Sequence, residues 1–350
     1  MNANTDKIRV AIVGASGYTG AELVRLLSRH ARVDIKVLTA DRKAGQTLAS
    51  VFPQLASLPL PDMIKLDAVN WDSVDVVFCC LPHATTQEVI KGLPSRLKII
   101  DLSADFRLKD VDVYAEWYGG THAAPELQKE AVYGLAEINR DAIKQARLVA
   151  NPGCYPTSVQ LPLVPLLEAG LVQDQDIIID SKSGVSGAGR APKEGTLFCE
   201  VTEGIHAYGV AKHRHAPEIE QGLSEAAGKD VIVNFTPHLM PMSRGILSSI
   251  YVKLADGKTA DDVRDALVAR YADEPFVLVL ADGLSPATRH VRGSNFCQIG
   301  VFADRVPGRV IILSVIDNVV KGASGQAVQC MNLMCGFDET AGLEQLPLFP

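Results

Sequence analysis

The sequence is short of the features that mark several protein classes. No run approaches the ~18 consecutive apolar residues that a membrane-spanning helix needs. The N-terminal apolar stretch, Val10–Ala15, contains Gly14 and is too short and broken for a secretory signal. Positive charge is not in excess: 34 Lys and Arg stand against 41 Asp and Glu, a formal net charge of −7. That balance argues against a surface built to coat nucleic acid, while leaving room for a local basic pocket. No internal repeat or low-complexity tract is present, and no Cys-x-x-Cys pair offers a zinc site. The seven cysteines, at 79, 80, 154, 199, 297, 330 and 335, are an odd number scattered along a long chain. They are not a disulfide framework, and free thiols fit a reducing compartment. The expectation is a soluble, cytoplasmic protein with no membrane or nucleic-acid partner.

What is present is an ordinary globular balance. The chain has 350 residues, 47% hydrophobic and 21% charged, which excludes disorder and fits two domains of ~100–200 residues. Near-continuous apolar runs at Ile8–Val13, Asp34–Ala40, Asp75–Leu81, Leu97–Leu102 and Arg147–Ala150 read as strands. Helical spacing lies between them, as at Ala21–Arg29. Such strands belong to a parallel sheet buried on both faces, a doubly wound Rossmann-type domain. Beyond residue 152 the pattern becomes α+β, with helices expected at Thr157–Ala169, Pro217–Ala227 and Ala260–Tyr271. Strands are expected at Asp176–Ser181, Val231–Phe235, Ile246–Leu254, Phe276–Ala281, Phe296–Ala303 and Arg309–Ile316, in a mostly antiparallel sheet. Pro307-Gly308 marks a hairpin turn. A last helix, Ser324–Met334, is able to close either domain, and the tail Thr340–Pro350 reads as loosely held.

Three segments carry chemistry. Gly14-Ala15-Ser16-Gly17-Tyr18-Thr19-Gly20 follows the first strand and opens a helix. Its glycines let backbone amides approach a pyrophosphate, although the spacing departs from G-x-G-x-x-G. At the end of the second strand, Asp41 stands where an acid holds the ribose hydroxyls of NAD. Arg42 and Lys43 beside it are placed to neutralise the 2′-phosphate of NADP instead.

Cys154 lies in N-P-G-C-Y-P-T, at or just before a helix start. The oriented amides there favour a thiolate and are able to hold an oxyanion. Of the seven thiols it alone has a physical reason to react. The densest histidine group is His213-Arg214-His215. In an extended segment the two rings share a face, as acid/base partners for the thiol. The same H-x-H spacing suits a metal, with Glu218 or His206 as the nearest third ligand.

These segments together resemble the N-acetyl-γ-glutamyl-phosphate reductase family, relatives of aspartate-semialdehyde dehydrogenase. The resemblance is carried by G-A-S-G-Y-T-G at 14–20, L-P-H at 81–83, D-L-S-A-D-F-R at 101–107 and Y-G-L-A-E at 133–137. It continues through N-P-G-C-Y-P-T at 151–157, S-G-V-S-G-A-G-R at 183–190, H-R-H-A-P-E at 213–218, P-H-L-M-P-M-S-R-G at 237–245 and D-N-V-V-K-G-A-S-G-Q-A at 317–327. Ala136 departs from an expected proline in a loop away from the chemistry.

The resemblance implies NADPH-dependent reduction of an N-acetyl-glutamyl acyl phosphate, through a Cys154 thioester, to the semialdehyde. His213, with His215 second, would manage protons, and no metal is required. Ser103, Arg107 and Arg214 would hold phosphate or carboxylate. Ser186 and Gly187 of the second glycine-rich loop, with Asn318 and Lys321, would lie near the nicotinamide. It further implies an NADP-binding domain of residues 1–152 with 323–350, and a catalytic and oligomerisation domain of 153–322. A homodimer or homotetramer is expected. The rival readings are the same chemistry on aspartyl phosphate or a carrier-bound aminoadipyl phosphate, an inactive NADP-binding regulator, and an H-x-H metal hydrolase.

Overall fold

The computed structural model describes residues 7–349. The chain divides into two compact units, Met1–Pro152 with Ala323–Glu344, and Gly153–Gly322 with Gln345–Pro350.

In the first unit the central apolar runs are strands buried along most of their length, as at Val76–Cys79, Lys98–Asp101 and Leu148–Ala150, with no polar face to alternate. The strands of this unit are β1 (Ile8–Val13), β2 (Val33–Thr39), β3 (Met63–Ile64), β4 (Val76–Cys79), β5 (Lys98–Asp101), β6 (Val132–Tyr133) and β7 (Leu148–Ala150). Among the described residues they form one seven-stranded sheet in the order β3-β2-β1-β4-β5-β7-β6. Every pair in it is parallel. The order reverses between β1 and β4, and ligands of such sheets bind beyond the strand ends at that point. The last helix, Gly325–Cys335, packs within this unit. Ser324 Oγ donates to Thr19 O at 3.0 Å, and Gln326 Nε2 to Gly134 O at 2.8 Å.

In the second unit β8 (Ile177–Gly184), β9 (His206–Ala207), β10 (Val233–Met240), β11 (Ile246–Lys253), β12 (Val277–Val279), β13 (Cys297–Ala303) and β14 (Arg309–Ile316) make a second sheet. Its order is β12-β13-β14-β11-β8-β10-β9. Most pairs are antiparallel, with β8–β10 and β12–β13 parallel. Burial alternates along β8 and β10, so one face is covered by helices and the other is half-open. On that open face Ile178, Tyr251, Ile311 and Phe302 lie in register across four strands.

The Cys154–Glu168 helix is the core of this unit. Every residue from Tyr155 to Leu167 is buried, and it contains Pro162 and Pro165. Pro165 cannot donate to the carbonyl of Leu161 four residues back, and the Tyr271 hydroxyl donates to that carbonyl instead.

Local pattern missed or displaced several elements. The strand expected at Val231–Phe235 runs on to Met240, because Pro237 is tolerated beside the short strand β9. The strands β3, β6 and β9 are two residues each and carry no readable period. The tail is not loose as expected: Leu343 is fully buried, and the Leu348 amide donates to Arg292 O at 2.9 Å. Residues from Gln345 onward group with the second unit, not with the first as the resemblance implied. Residues 1–6 and Pro350, which the expected ranges and tail include, lie outside the described residues.

Candidate active site

In the first unit, β1 runs straight into the glycine turn and the Tyr18–Leu27 helix. Gly17 caps that helix in extended conformation, with no side-chain cap and no acid in the first turn. The positive end of the helix is left for an anion. Gly14 has φ +85°, and a Cβ there would stand 2.6 Å from the carbonyl oxygen of Cys80. A Cβ at Gly20 would stand 2.6 Å from Ala15 Cα, so the helix rests directly on the turn. This is a cradle that side chains would fill, and it fits a dinucleotide pyrophosphate. Ala15, Ser16 and Thr19 complete it, and the Thr19 side chain hydrogen-bonds Cys80. Tyr18 is exposed at the rim. The Ala15 amide donates to Thr39 O at 2.8 Å, which sets the end of β2, and so Asp41, Arg42 and Lys43, beside the turn. Those three side chains are exposed.

The loop after β5 is a buried polar knot. Ser103 donates through N and Oγ to the Asp101 carboxylate at 2.9 and 2.7 Å, and its Oγ accepts the Asp105 amide at 3.0 Å. Burial pushes the Asp101 carboxyl up to about 7, opposed by the Ser103 hydrogen bonds. Asp105 accepts from Ala84 N, Thr86 N and the Tyr114 hydroxyl. Arg107 donates from Nε to Asn151 O at 2.8 Å and from a terminal nitrogen to Leu102 O at 3.1 Å. Ser103 and Arg107, expected to hold substrate, are 1% and 6% exposed. The Ser103 amide and hydroxyl and two of the Arg107 donors shape this loop and fix Asn151, three residues before Cys154.

In the second unit the helix begins at Cys154 itself, earlier than the expected Thr157. Pro156 sits in the first turn, where no amide donor is required. Gly153 is the cap, with no side-chain cap and no acid in the first turn. Cys154 is half-buried, and Gly322 crowds it so closely that a Cβ there would be 2.7 Å from Cys154 Cβ.

The structure also shows a residue that sequence reasoning weighed only as a metal ligand. Glu218 lies in the first turn of the Ala216–Ala227 helix and is 1% exposed. Its Oε1 accepts the Gly153 amide at 2.7 Å. The H-R-H-A-P-E motif named the residue, but the contact spans 65 positions and leaves no local trace.

His213 and His215 come together as expected, though on a turn rather than an extended strand. Their ring centroids are 4.8 Å apart, and Tyr155 packs 5.6 and 5.8 Å from them. Tyr208 and Phe235 complete an aromatic wall around His213. Burial, aided by the Arg214 charge, takes His213 down to about 4. Its Nδ1 accepts the His215 amide at 3.1 Å, which places the proton of the neutral ring on Nε2. Burial likewise pushes the Tyr155 phenol up, so it remains a neutral wall. Arg214 projects to the surface. No group of three potential ligands able to hold a metal occurs among the described residues.

Asn318 is buried and bridges two loops. Its Nδ2 donates to Ser186 Oγ at 2.9 Å, and its Oδ1 accepts the Gly245 amide at 2.7 Å. Gly187 lies against it, since a Cβ there would be 3.5 Å from Asn318 Nδ2. Lys321 is fully buried, its Nζ 5.8 Å from the centroid of the Phe276 ring. A cavity of about 400 Å³ near Lys253, Lys258 and Arg309 contains none of the expected site residues.

Comparison with known proteins bears on both units. The semialdehyde dehydrogenase NAD-binding domain model matches residues 9–146, and the semialdehyde dehydrogenase dimerisation domain model matches residues 154–318. The chain is 66% identical over 351 aligned positions to N-acetyl-gamma-glutamyl-phosphate reductase of Rhodospirillum rubrum, covering 99% of this chain and 100% of the relative. It is 61% identical to the probable chloroplastic N-acetyl-gamma-glutamyl-phosphate reductase of Oryza sativa subsp. japonica, covering 99% of this chain and 83% of that protein. In fold it is similar to aspartate semialdehyde dehydrogenase II of Vibrio cholerae. The TM-score is 0.71 at 18% identity, over 95% of this chain and 99% of the other.

Proposed function

The chain belongs to the N-acetyl-γ-glutamyl-phosphate reductase family of semialdehyde dehydrogenases, and on that premise we propose that it reduces N-acetyl-γ-glutamyl phosphate to N-acetyl-glutamate semialdehyde with release of phosphate, a step of arginine biosynthesis. The observation that carries this reading is the 66% identity sustained over the full length of a reductase of that name. Cys154, the first residue of its helix, is the group such chemistry needs.

The Cys154 thiol loses its proton to the His215 imidazole, and its sulfur attacks the acyl carbon. The acyl C–O bond breaks, the phosphate leaves with the proton from the imidazole, and a thioester remains on Sγ. The amides at the helix start hold the oxygen that carries negative charge as the carbon becomes tetrahedral. NADPH, when bound, supplies the hydride that takes the acyl group to the aldehyde level. Release of the aldehyde breaks the C–S bond and returns Cys154 as a thiolate, which regains a proton from solvent.

His215 carries the proton in this reading, and His213 orients it. Sequence favoured the reverse, but the half-buried His213 ring resists protonation and its Nδ1 is committed to the His215 amide. Glu218 fixes the Gly153 amide and with it the first residue of the helix. Arg214 remains the exposed cation for the acyl phosphate. Gly14–Gly20 hold the pyrophosphate of NADP and Arg42 its 2′-phosphate, while Asn318 shapes the loop of Ser186 and Gly187.

A second copy of the chain covers the open face of the second sheet, where Ile178, Tyr251, Ile311 and Phe302 form an apolar row. The dimerisation domain model spans this region, and the assembly is a homodimer or homotetramer. Among the described residues no helix is long and apolar enough to cross a membrane. All seven cysteines are free, which supports a cytoplasmic setting.

The deciding experiment runs the reaction backward in phosphate with NADP. N-acetyl-glutamate semialdehyde is compared with aspartate semialdehyde and a carrier-bound aminoadipate semialdehyde. The acetylated substrate is expected to have the highest kcat/KM, and a higher value for either other semialdehyde would replace the substrate assignment.

A further inference from the structure

We propose that Lys65 is a cofactor-specificity residue: by pairing with Asp41 it turns the acidic end of β2 from a place that rejects a 2′-phosphate into one that accepts it. The inference deepens, and rests on, the NADPH reading above.

An acid at the end of the second strand of a dinucleotide fold binds the ribose hydroxyls of NAD, and its charge opposes the 2′-phosphate of NADP. Asp41 stands in that place, two residues past the end of β2. Thr39, the last residue of the strand, accepts the Gly14 amide on its hydroxyl at 3.2 Å and the Ala15 amide on its carbonyl at 2.8 Å. The acid is thereby fixed beside the glycine turn. Left alone, Asp41 would select the wrong cofactor.

It is not alone. Lys65 Nζ lies 3.3 Å from Asp41 Oδ1. The backbones that carry the two residues are stapled together. Leu38 and Thr39 pair with Met63 and Ile64, and Ala40 N donates to Ile64 O at 3.0 Å. Gly45 N donates to Met63 O at 2.7 Å, and Met63 N to Gln46 O at 3.0 Å. Strand β3 is only two residues long, and one consequence of its pairing is to deliver Lys65 to this turn.

Both side chains are well exposed, 60% for Lys65 and 85% for Asp41, so the pair adds little to stability. Its effect falls on a charged ligand. Arg42, Lys43 and Lys65 set three positive charges against the one negative charge of Asp41. That surplus matches a phosphate monoester dianion, whereas Asp41 without Lys65 would place an uncompensated carboxylate against it.

The test uses binding alone. Isothermal titration measures 2′,5′-ADP and 5′-AMP against the full chain and its variants, with circular dichroism to verify folding. The native chain is expected to prefer 2′,5′-ADP. Lys65→Ala lowers that preference about fivefold or more, as loss of one unit charge a few ångströms from a dianion in water requires. Asp41→Asn added to Lys65→Ala restores part of the preference. An unchanged preference in folded Lys65→Ala overturns the proposal and leaves the NADPH reading standing. A native chain that binds both ligands equally overturns both. A double variant that recovers nothing overturns the pairing with Asp41 as the device.

Discussion

The two strand-to-helix junctions at Gly17 and Gly153 use the same backbone device for different ends. Each follows a buried parallel strand, each is capped by a glycine in extended conformation, and neither has a side-chain cap or an acid in the first turn. At Gly17 the glycines remove the atoms that would stand in an anion's way, and Thr39 holds the turn by accepting the Gly14 amide on its hydroxyl and the Ala15 amide on its carbonyl. At Gly153 the cap amide is already taken by the Glu218 carboxylate, and the first helical residue carries a thiol. In the proposed function the first junction receives charge from a ligand and the second holds the nucleophile still. A helix start is therefore a generic electrostatic feature, and the residues that occupy its neighbouring donors decide what it does.

The comparison breaks most completely at the nucleophile. Cys154→Ser is expected to cut kcat at least about 10³-fold, while calorimetric affinity for NADP stays within experimental scatter. Residual turnover near the native rate would remove the thioester from the mechanism.

The next largest effect belongs to the other junction. Gly20→Ala drives a Cβ into the Ala15 backbone, so a stability loss of about 1–3 kcal/mol is expected. NADP affinity should fall as the turn is displaced. Thermal melting and titration read the two effects separately, and unaltered NADP binding would mean that the turn does not hold the cofactor.

The smallest effect sharpens the contrast. Glu218→Gln keeps an acceptor for the Gly153 amide but exchanges a charged acceptor for a neutral one, and such bonds differ about twofold in strength. A fall in kcat of about tenfold is expected, with KM and NADP affinity nearly unchanged, and Glu218→Ala should be worse. Equal losses in kcat and in NADP binding would point to a general folding defect instead.

The sequence made the first junction readable because its constraints are local. Three glycines between a strand and a helix have few other uses, and Gly14 does adopt the left-handed conformation that such a turn requires. It also singled out Cys154 among seven thiols, since helix position is a local property. Ser103 and Arg107 show the limit. Both residue types suit phosphate, and the fold also engages them with Asp101 and the Asn151 carbonyl. Burial depends on what packs around a loop, and no spacing rule contains it. The His213 ring is a further case: its neighbours Tyr155, Tyr208 and Phe235 come from three separate segments. Together they desolvate the ring and lower its affinity for a proton, which is why the proposed function assigns the proton to His215.

Strand burial, helix periodicity and glycine placement are written residue by residue. From them the sequence by itself determined a doubly wound first unit, an α+β second unit, and the places of the anion cradle and the thiol. Only the tertiary structure decided which partners meet across 24 or 65 positions, as Asp41 meets Lys65 and Gly153 meets Glu218. The physical reason is that propensity and periodicity act over a few residues, whereas desolvation and charge pairing act through space between segments that only folding brings together.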